Sequence, residues 1–309
     1  MTLVARSLRL VEIAGDVRSL LPGGSAGLLQ LMYPPLGHAV AEHSEFFDDP
    51  FGRVYRSIPQ IWATITTPEG VGRARVIRDL HRSIGGVDAA GNRYHALEPD
   101  TFWWAHATFT WEMFRAVELF WRHPLDSVAR ETLYKDTVQW YECYGVSTRP
   151  VPANYSAFAS RFTGICDEVL VLTPAAERAV EIALAGDISL PAIPGLLDRT
   201  ARPLVAPLGR ALVFGCLPAS VRQRFALPWR RRDRAAFALL RSSARRGIAA
   251  LPTSSHRAAL RWGMRYVGSR TRDERFQGGS TRLRRQRHIE GKALRGCAKK
   301  PGCWTPDRH

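Results

Sequence analysis

Apolar residues recur at helical spacing along most of the chain, while alternating apolar and polar runs of strand type are scarce. The pattern predicts an all-α fold. Gly23-Gly24-Ser25-Ala26-Gly27 separates a first helix from an apolar second one over 28–43, which Pro34-Pro35 splits or kinks. Asp48-Asp49-Pro50 starts a helix that runs to about Thr64, and Thr67-Pro68-Glu69 opens another over 69–84. Gly85-Gly86 ends it, and the turn-forming residues of 87–92 read as a loop. Pro99-Asp100 opens a central aromatic helix reaching about Arg122, which His123-Pro124 closes. Further helices are predicted over 125–144, 154–172 and 174–185.

The Pro-rich stretch 190–207 reads as a connector to a smaller helical part ending near Tyr266. These breaks divide the chain into a helical core over 1–190, a C-terminal helical part of the same domain over 191–267, and a tail over 268–309. Gly, Ser and Arg dominate the tail, which lacks helical periodicity and is expected to be disordered. The formal net charge of +16 belongs largely to this end: residues 221–309 hold 24 Lys or Arg against 5 Asp or Glu. Because the first 220 residues show no matching patch, no specific nucleic-acid partner is expected. Peripheral contact with a membrane surface stays open. The five cysteines lack the spacing of a disulfide framework, and no run approaches the ~20 apolar residues of a spanning helix. Both readings favour a reducing, cytoplasmic setting, with membrane association left open.

Candidate chemistry centres on His106, which lies within Phe102-Trp103-Trp104-Ala105-His106-Ala107-Thr108-Phe109-Thr110-Trp111. Helical spacing puts Phe102, His106, Phe109, Met113, Val117 and Phe120 on one stripe. Such a stripe would wall an apolar pocket with one nitrogen ligand in it, as a flat cofactor such as haem requires. A core histidine bonded to a backbone carbonyl accounts for the same pattern. Ala74, Ile77, His81 and Ile84 share a helix face, so His81 is expected to point into the same interior. Arg78 and Arg82 flank that face as potential partners for a buried anion such as a haem propionate, or as solvated arginines.

Other metal and nucleotide chemistries find little support. The paired Glu-x-x-His of di-iron bundles, His-Glu-x-x-His, Gly-x-Gly-x-x-Gly and a P-loop are all absent. His43-x-Glu45 is a two-residue match to an iron-site pattern, Cys216 lacks the Gly-rich loop of a thiolate haem ligand, and Cys297 and Cys303 fall in the basic tail.

Several short stretches follow one another in a telling order over 28–162. They are Leu28-Leu29-Gln30-Leu31 followed by Pro34 or Pro35, Glu42-His43-Ser44, Asp49-Pro50 with Arg53, and Arg78-x-x-His81. Gly91-x-x-Tyr94 with Ala96, Trp104-Ala105-His106-Ala107-Thr108, and Tyr141 through Gly145-Val146 complete the series. This pattern resembles the oxygenase family that includes the fungal MpaB enzymes and the catalytic domain of the rubber oxygenases. Leu227-Pro228-Trp229 extends the likeness toward Tyr266.

The resemblance implies an all-helical protein that binds haem b, with His106 as the proximal iron ligand; on the helix faces read above, Phe102, Phe109 and Met113 would then line the cofactor and Arg78 and Arg82 would meet its propionates. It further implies dioxygen and a hydrophobic, lipid-like substrate whose carbon–carbon double bond is cleaved, with Arg78 and His81 as catalytic donors to oxygen. Rubber oxygenases carry a lysine and a threonine where His81 and Arg82 stand here. Glu42 and Glu45 are nearest in kind to the family's catalytic carboxylate. A haem-binding sensor or carrier, and a cofactor-free interaction protein using its basic tail, are the two other classes compatible with these residues.

Overall fold

Helix α6 (Pro99–Phe120) runs through the middle of the molecule and is buried around nearly its whole circumference. Its sequence explains this position. Proline at the first helical position needs no amide partner, Asp100 suits the positive N-terminal end, and the body is aromatic on several faces, so every side must find a neighbour. The computed structural model describes residues 9–44, 47, 50–88, 90–185 and 195–260, without the side chains of 50–56 and 195–205.

Around α6 lie α1 (Leu10–Ala14), α2 (Gly23–Met32), α3 (Pro34–His43), α4 (Pro50–Thr66) and α5 (Gly70–Leu80). After α6 come α7 (Ser127–Glu142), α8 (Tyr155–Gly164), α9 (Pro174–Ala185), α10 (Gly195–Cys216), α11 (Ala219–Arg224) and α12 (Arg231–Arg246). Strands β1 (Gly85–Val87) and β2 (Arg93–His95) form an antiparallel pair with Gly86 opposite Tyr94. The described residues are therefore all-α apart from one short hairpin.

Polar bonds inside the core fix how α2 sits on α6. The Trp104 indole donates to the Leu29 carbonyl at 3.2 Å, and the Gln30 amide donates to Thr108 Oγ1 at 2.8 Å and to the Ala105 carbonyl at 3.2 Å. At the other end of α6, the Arg18 guanidinium lies 4.0 Å over the Trp121 ring and donates to the Phe120 carbonyl. Leu119 and Phe120 also meet Cys216 of α10 and Ala244 of α12, so the helices after residue 195 close over the same core.

Several elements differ from the sequence reading. Gly23 and Gly24 begin α2 instead of separating two helices. The predicted loop over 87–92 is the turn of a hairpin: Asp88 Oδ1 accepts from the Ala90 and Asn92 amides, and Gly91 takes φ +85°. Gly86 permits the strand pair, because a Cβ there would sit 2.6 Å from Tyr94 Oη. The predicted 154–172 helix stops at Gly164 and passes through a π-turn at Ile165–Val169, after which the Val171 amide bonds Met32. The expected connector is helical from Gly195 onward, with Pro203 and Pro207 inside α10. Tertiary contact outweighs the lost amides there, since Ala211, Phe214 and Cys216 are fully buried. Glu45, Asp48, Asp49, the Arg53 side chain, Cys297, Cys303 and the tail fall outside what is described. No described helix is long and apolar enough to cross a membrane.

Glycine contacts supply a stability test. A Cβ on Gly37 would overlap Thr173 Oγ1 and the Leu31 carbonyl, where α3 crosses the segment entering α9, whereas a Cβ on Gly27 would meet nothing within 4 Å. Gly37→Ala is expected to destabilise by about 1–3 kcal/mol, and Gly27→Ala to stabilise by up to about 1 kcal/mol. Urea midpoints shifting the same way for both variants would contradict the packing described.

Candidate functional site around His106

The His106 ring projects from α6 into α7, where its centroid lies 4.5 Å from Trp140, 5.0 Å from Tyr141 and 6.1 Å from Tyr144. Nε2 is 2.9 Å from the Thr137 carbonyl oxygen. A carbonyl only accepts, so Nε2 carries the proton and donates. In the neutral ring Nδ1 then holds the free lone pair, and that atom is buried without a hydrogen-bond partner. Burial pushes the imidazole pKa down to about 4, against a smaller opposing effect of the Thr137 bond. His106 is therefore neutral at physiological pH.

The other residues singled out in the sequence fall into three groups. His81 caps the end of α5, with Nδ1 2.7 Å from the Ile77 carbonyl, and meets the Phe102 ring edge-on at 6.2 Å. Phe102 in turn packs on Tyr144 at 5.3 Å and Tyr141 at 6.2 Å, so His81 and His106 belong to one aromatic cluster bridged by Phe102. Phe109 continues it, 6.2 Å from both Trp140 and Trp62.

Arg78 lies at the edge of this cluster, donating to the Tyr144 and Gly145 carbonyls at 3.2 and 3.5 Å and pairing with Asp79 at 2.7 Å. It thereby anchors the chain leaving α7 beside Tyr144. Arg82 does not flank the interior as expected. The helix ends at Leu80, so residue 82 no longer follows its phase; the side chain is 66% exposed and bonds Asp79 at 3.0 Å. Met113 is buried two turns beyond His106, in the main core.

Whether haem fits here is decided by donor chemistry and by space. The donor fits: a neutral imidazole held by a carbonyl on one nitrogen, with a free lone pair on the other, is the form a metal-ligating histidine takes. The space does not. The void beside the ring, walled by Trp103, Tyr134, Val138, Tyr141 and Phe158, measures about 10 Å³, roughly one water-sized probe. Cofactor pockets run to several hundred Å³, on the order of 300 or more. As packed here, the cluster does not accommodate the macrocycle, and among the described residues no group of three or more His, Cys, Asp or Glu is placed to hold a metal ion.

A much larger space lies on the other side of the first turn of α6. A cleft of about 720 Å³ opens between Tyr33, Pro35, the β1–β2 hairpin, Asp100 and Thr101. Tyr94 of this wall donates its hydroxyl to Glu42, and the His43 ring bonds the Gly85 carbonyl at 3.1 Å. Burial and the Glu42 carboxylate raise the Tyr94 pKa to about 12, so the phenol keeps its proton. Asp100 is bracketed by Arg149 and Arg161, both at 2.6 Å.

Sequence reasoning missed the Glu42–Tyr94 pair, the aromatic wall from α7, and Glu112. The Glu112 carboxyl is fully buried on α6, its Oε2 lacks a partner, and burial raises its pKa well above the carboxylate range. It faces Gly23 at the start of α2. The spacing Trp140, Tyr141, Tyr144 was the one local signal for the α7 wall.

The His106 environment has a measurable pH signature. An unfolded histidine titrates near 6.5 and this one near 4, so the native state resists protonation. Its contribution is complete above pH 6.5 and is lost as pH falls toward 4, on the order of 3 kcal/mol. Chemical denaturation of His106→Gln should show a shallower loss of stability between pH 7 and 4 than the parent. Parallel pH profiles would show that the ring is not buried in this way.

No curated protein and no solved structure matches the chain. The profile of one protein family, described as "ER-bound oxygenase mpaB/B'/Rubber oxygenase, catalytic domain", matches residues 11–246. That span runs from α1 to the end of α12 and includes His106, Arg78, His81, Glu42 and Tyr94. With most of its length matched, the chain belongs to the MpaB and rubber oxygenase catalytic-domain family.

Proposed function

We propose that this oxygenase-family chain depends on haem b and acts with dioxygen on a hydrophobic, unsaturated substrate of isoprenoid or lipid type, cleaving a carbon–carbon double bond. His106 is the iron ligand in this reading. One observation carries it: the buried imidazole is neutral, bonded through Nε2 to the Thr137 carbonyl, and retains an unpartnered lone pair on Nδ1. Haem would supply the redox chemistry with dioxygen. The void of about 10 Å³ beside His106 leaves no room for the macrocycle with the side chains as packed.

The protein's own residues have definable parts in this reading. Arg78 fixes the end of α7 through the Tyr144 and Gly145 carbonyls, and so holds the Tyr144 side of the cluster. His81 faces the same cluster across Phe102, with Nδ1 committed to the Ile77 carbonyl. In this reading Arg78 and His81 are the oxygen-side donors, and each would have to turn from its present carbonyl to take that part. The wall itself excludes water. At the cleft, Tyr94 keeps its proton and donates it to the Glu42 carboxylate, which holds the phenol in place in the wall.

The filled packing also favours a second reading, in which the chain holds no haem and His106 is a core histidine satisfied by Thr137. Titrating the purified protein with haem and recording its visible and near-ultraviolet circular dichroism spectra decides between them. The first reading predicts about one haem per chain, a Soret band lost in His106→Ala, and a changed aromatic dichroism on loading, because Trp140, Tyr141 or Tyr144 must leave the ring. A folded parent that refuses haem, or a His106→Ala variant that retains it fully, overturns that reading.

A further inference from the structure

Helix α12 divides its arginines between two jobs. Its inner stripe carries Asp233, Phe237 and Ala244. Phe237 lies edge-on to Trp229 at 5.9 Å and against Gly215 of α10, and Asp233 pairs with Arg210 at 2.7 Å. Arg245 is turned back onto the fold, donating to the Leu119 and Glu118 carbonyls at 2.8 Å, where it closes the C-terminal end of α6.

The outer arc is different. At 3.6 residues per turn, Arg231, Arg232, Arg234, Arg241 and Arg246 fall on one broad outward face with Ala235, Ala238 and Leu239 between them. All five arginines are exposed; Arg234 donates to the Trp229 carbonyl at 3.1 Å, and none of the five forms a salt bridge with a described acid. The one acid of the helix, Asp233, is buried and already paired. Five like charges on a 16-residue helix repel one another. The chain beyond residue 260 is itself basic in composition, with 14 Lys or Arg against 4 Asp or Glu over 261–309.

We propose that the outer face of α12 docks this chain on an anionic lipid bilayer, its arginines on the headgroup phosphates and Leu239 in the interfacial apolar layer. Charge sets the sign of the partner, and Leu239 favours a bilayer over nucleic acid. That side chain is 65% exposed amid the arginines, where a phosphate backbone offers it nothing and the acyl boundary buries it. Docking requires no cofactor, so the proposal stands or falls separately from the haem reading.

The test is co-sedimentation of the full-length protein with vesicles of phosphatidylcholine alone or mixed with phosphatidylglycerol, over a series of salt concentrations. The parent is expected to bind the anionic vesicles selectively, and salt should weaken it. Each arginine near such a surface contributes about five-fold in partitioning, so Arg231→Gln, Arg234→Gln and Arg241→Gln combined should lose roughly a hundred-fold. Leu239→Ser should weaken the binding that persists at high salt. Since all four side chains are exposed, unchanged circular dichroism is expected to confirm that the variants fold.

A control carries Arg282→Gln, Arg284→Gln, Arg285→Gln and Arg287→Gln in the basic tail. Three outcomes overturn the proposal: loss of binding in this control while the α12 variant binds like the parent, equal binding to both vesicle types, or tighter binding to duplex DNA than to anionic vesicles at the same salt.

Discussion

Burial of α6 around its full circumference is the constraint on which the other elements depend. A helix with one apolar stripe can rest on a surface, but one that carries Phe102, Trp103, Trp104, Met113 and Phe114 on different faces must be enclosed. Helix α2 covers one side through the Trp104 and Gln30 bonds, α7 another through the ring stack at His106, and α10 with α12 the C-terminal end. Enclosure also determines the chemistry of the two titratable groups α6 carries. The same burial acts on both, pushing the His106 pKa down and the Glu112 pKa up, since a low-dielectric interior disfavours a charge of either sign. The histidine differs in having the Thr137 carbonyl, which fixes its tautomer; the buried Oε2 of the glutamate has no such partner.

What could be read in the sequence follows the range of the interaction. The limits of α6, the split at Pro34-Pro35 and the start of α9 at Pro174 were legible because proline acts on the adjacent peptide, whatever surrounds it. The hairpin was not. It depends on Gly86 meeting Tyr94 and on Glu42 reaching Tyr94 from 52 residues away. Proline misled at α10, where long-range burial of Ala211, Phe214 and Cys216 overrides local preference. At the site, the place of His106 in an apolar helix was legible, and so was the bland partner, a backbone carbonyl. Which carbonyl, and how completely α7 fills the space, depends on how two helices 31 residues apart pack. Arg82 shows the reverse error, extrapolated along a helical phase that ends two residues before it.

The features around His106 point in different directions, and both follow from α7. The same helix that gives Thr137 to Nε2 also brings Trp140 and Tyr141 against the ring. Orienting a ligand and blocking its access are thus coupled in one rigid element, and the carbonyl that prepares the imidazole moves with the residues that cover it. Any rearrangement that opens the ring by translating α7 also loosens the Thr137 bond. Opening by rotation of the Trp140 or Tyr141 side chain leaves it intact. The second route is less costly for a buried polar atom, because it keeps the one hydrogen bond the imidazole has.

Charge is segregated in the same way that apolar surface is. Several arginines are turned inward onto carbonyls and carboxylates: Arg18 on Phe120 and Asp16, Arg78 on Tyr144 and Asp79, Arg161 on Pro150 and Asp100, Arg245 on Leu119 and Glu118. Such arginines serve as struts, closing helix ends whose carbonyls lack partners. Their guanidinium groups are spoken for, and they contribute little to the field outside. On the outer α12 face only Arg234 has such a task, donating to the Trp229 carbonyl; Arg231, Arg232, Arg241 and Arg246 are exposed without a described carbonyl or carboxylate. An arginine received by a carbonyl or carboxylate holds the fold together, whereas Arg231, Arg232, Arg241 and Arg246 of α12 leave their charge at the surface, where it acts on what approaches that face.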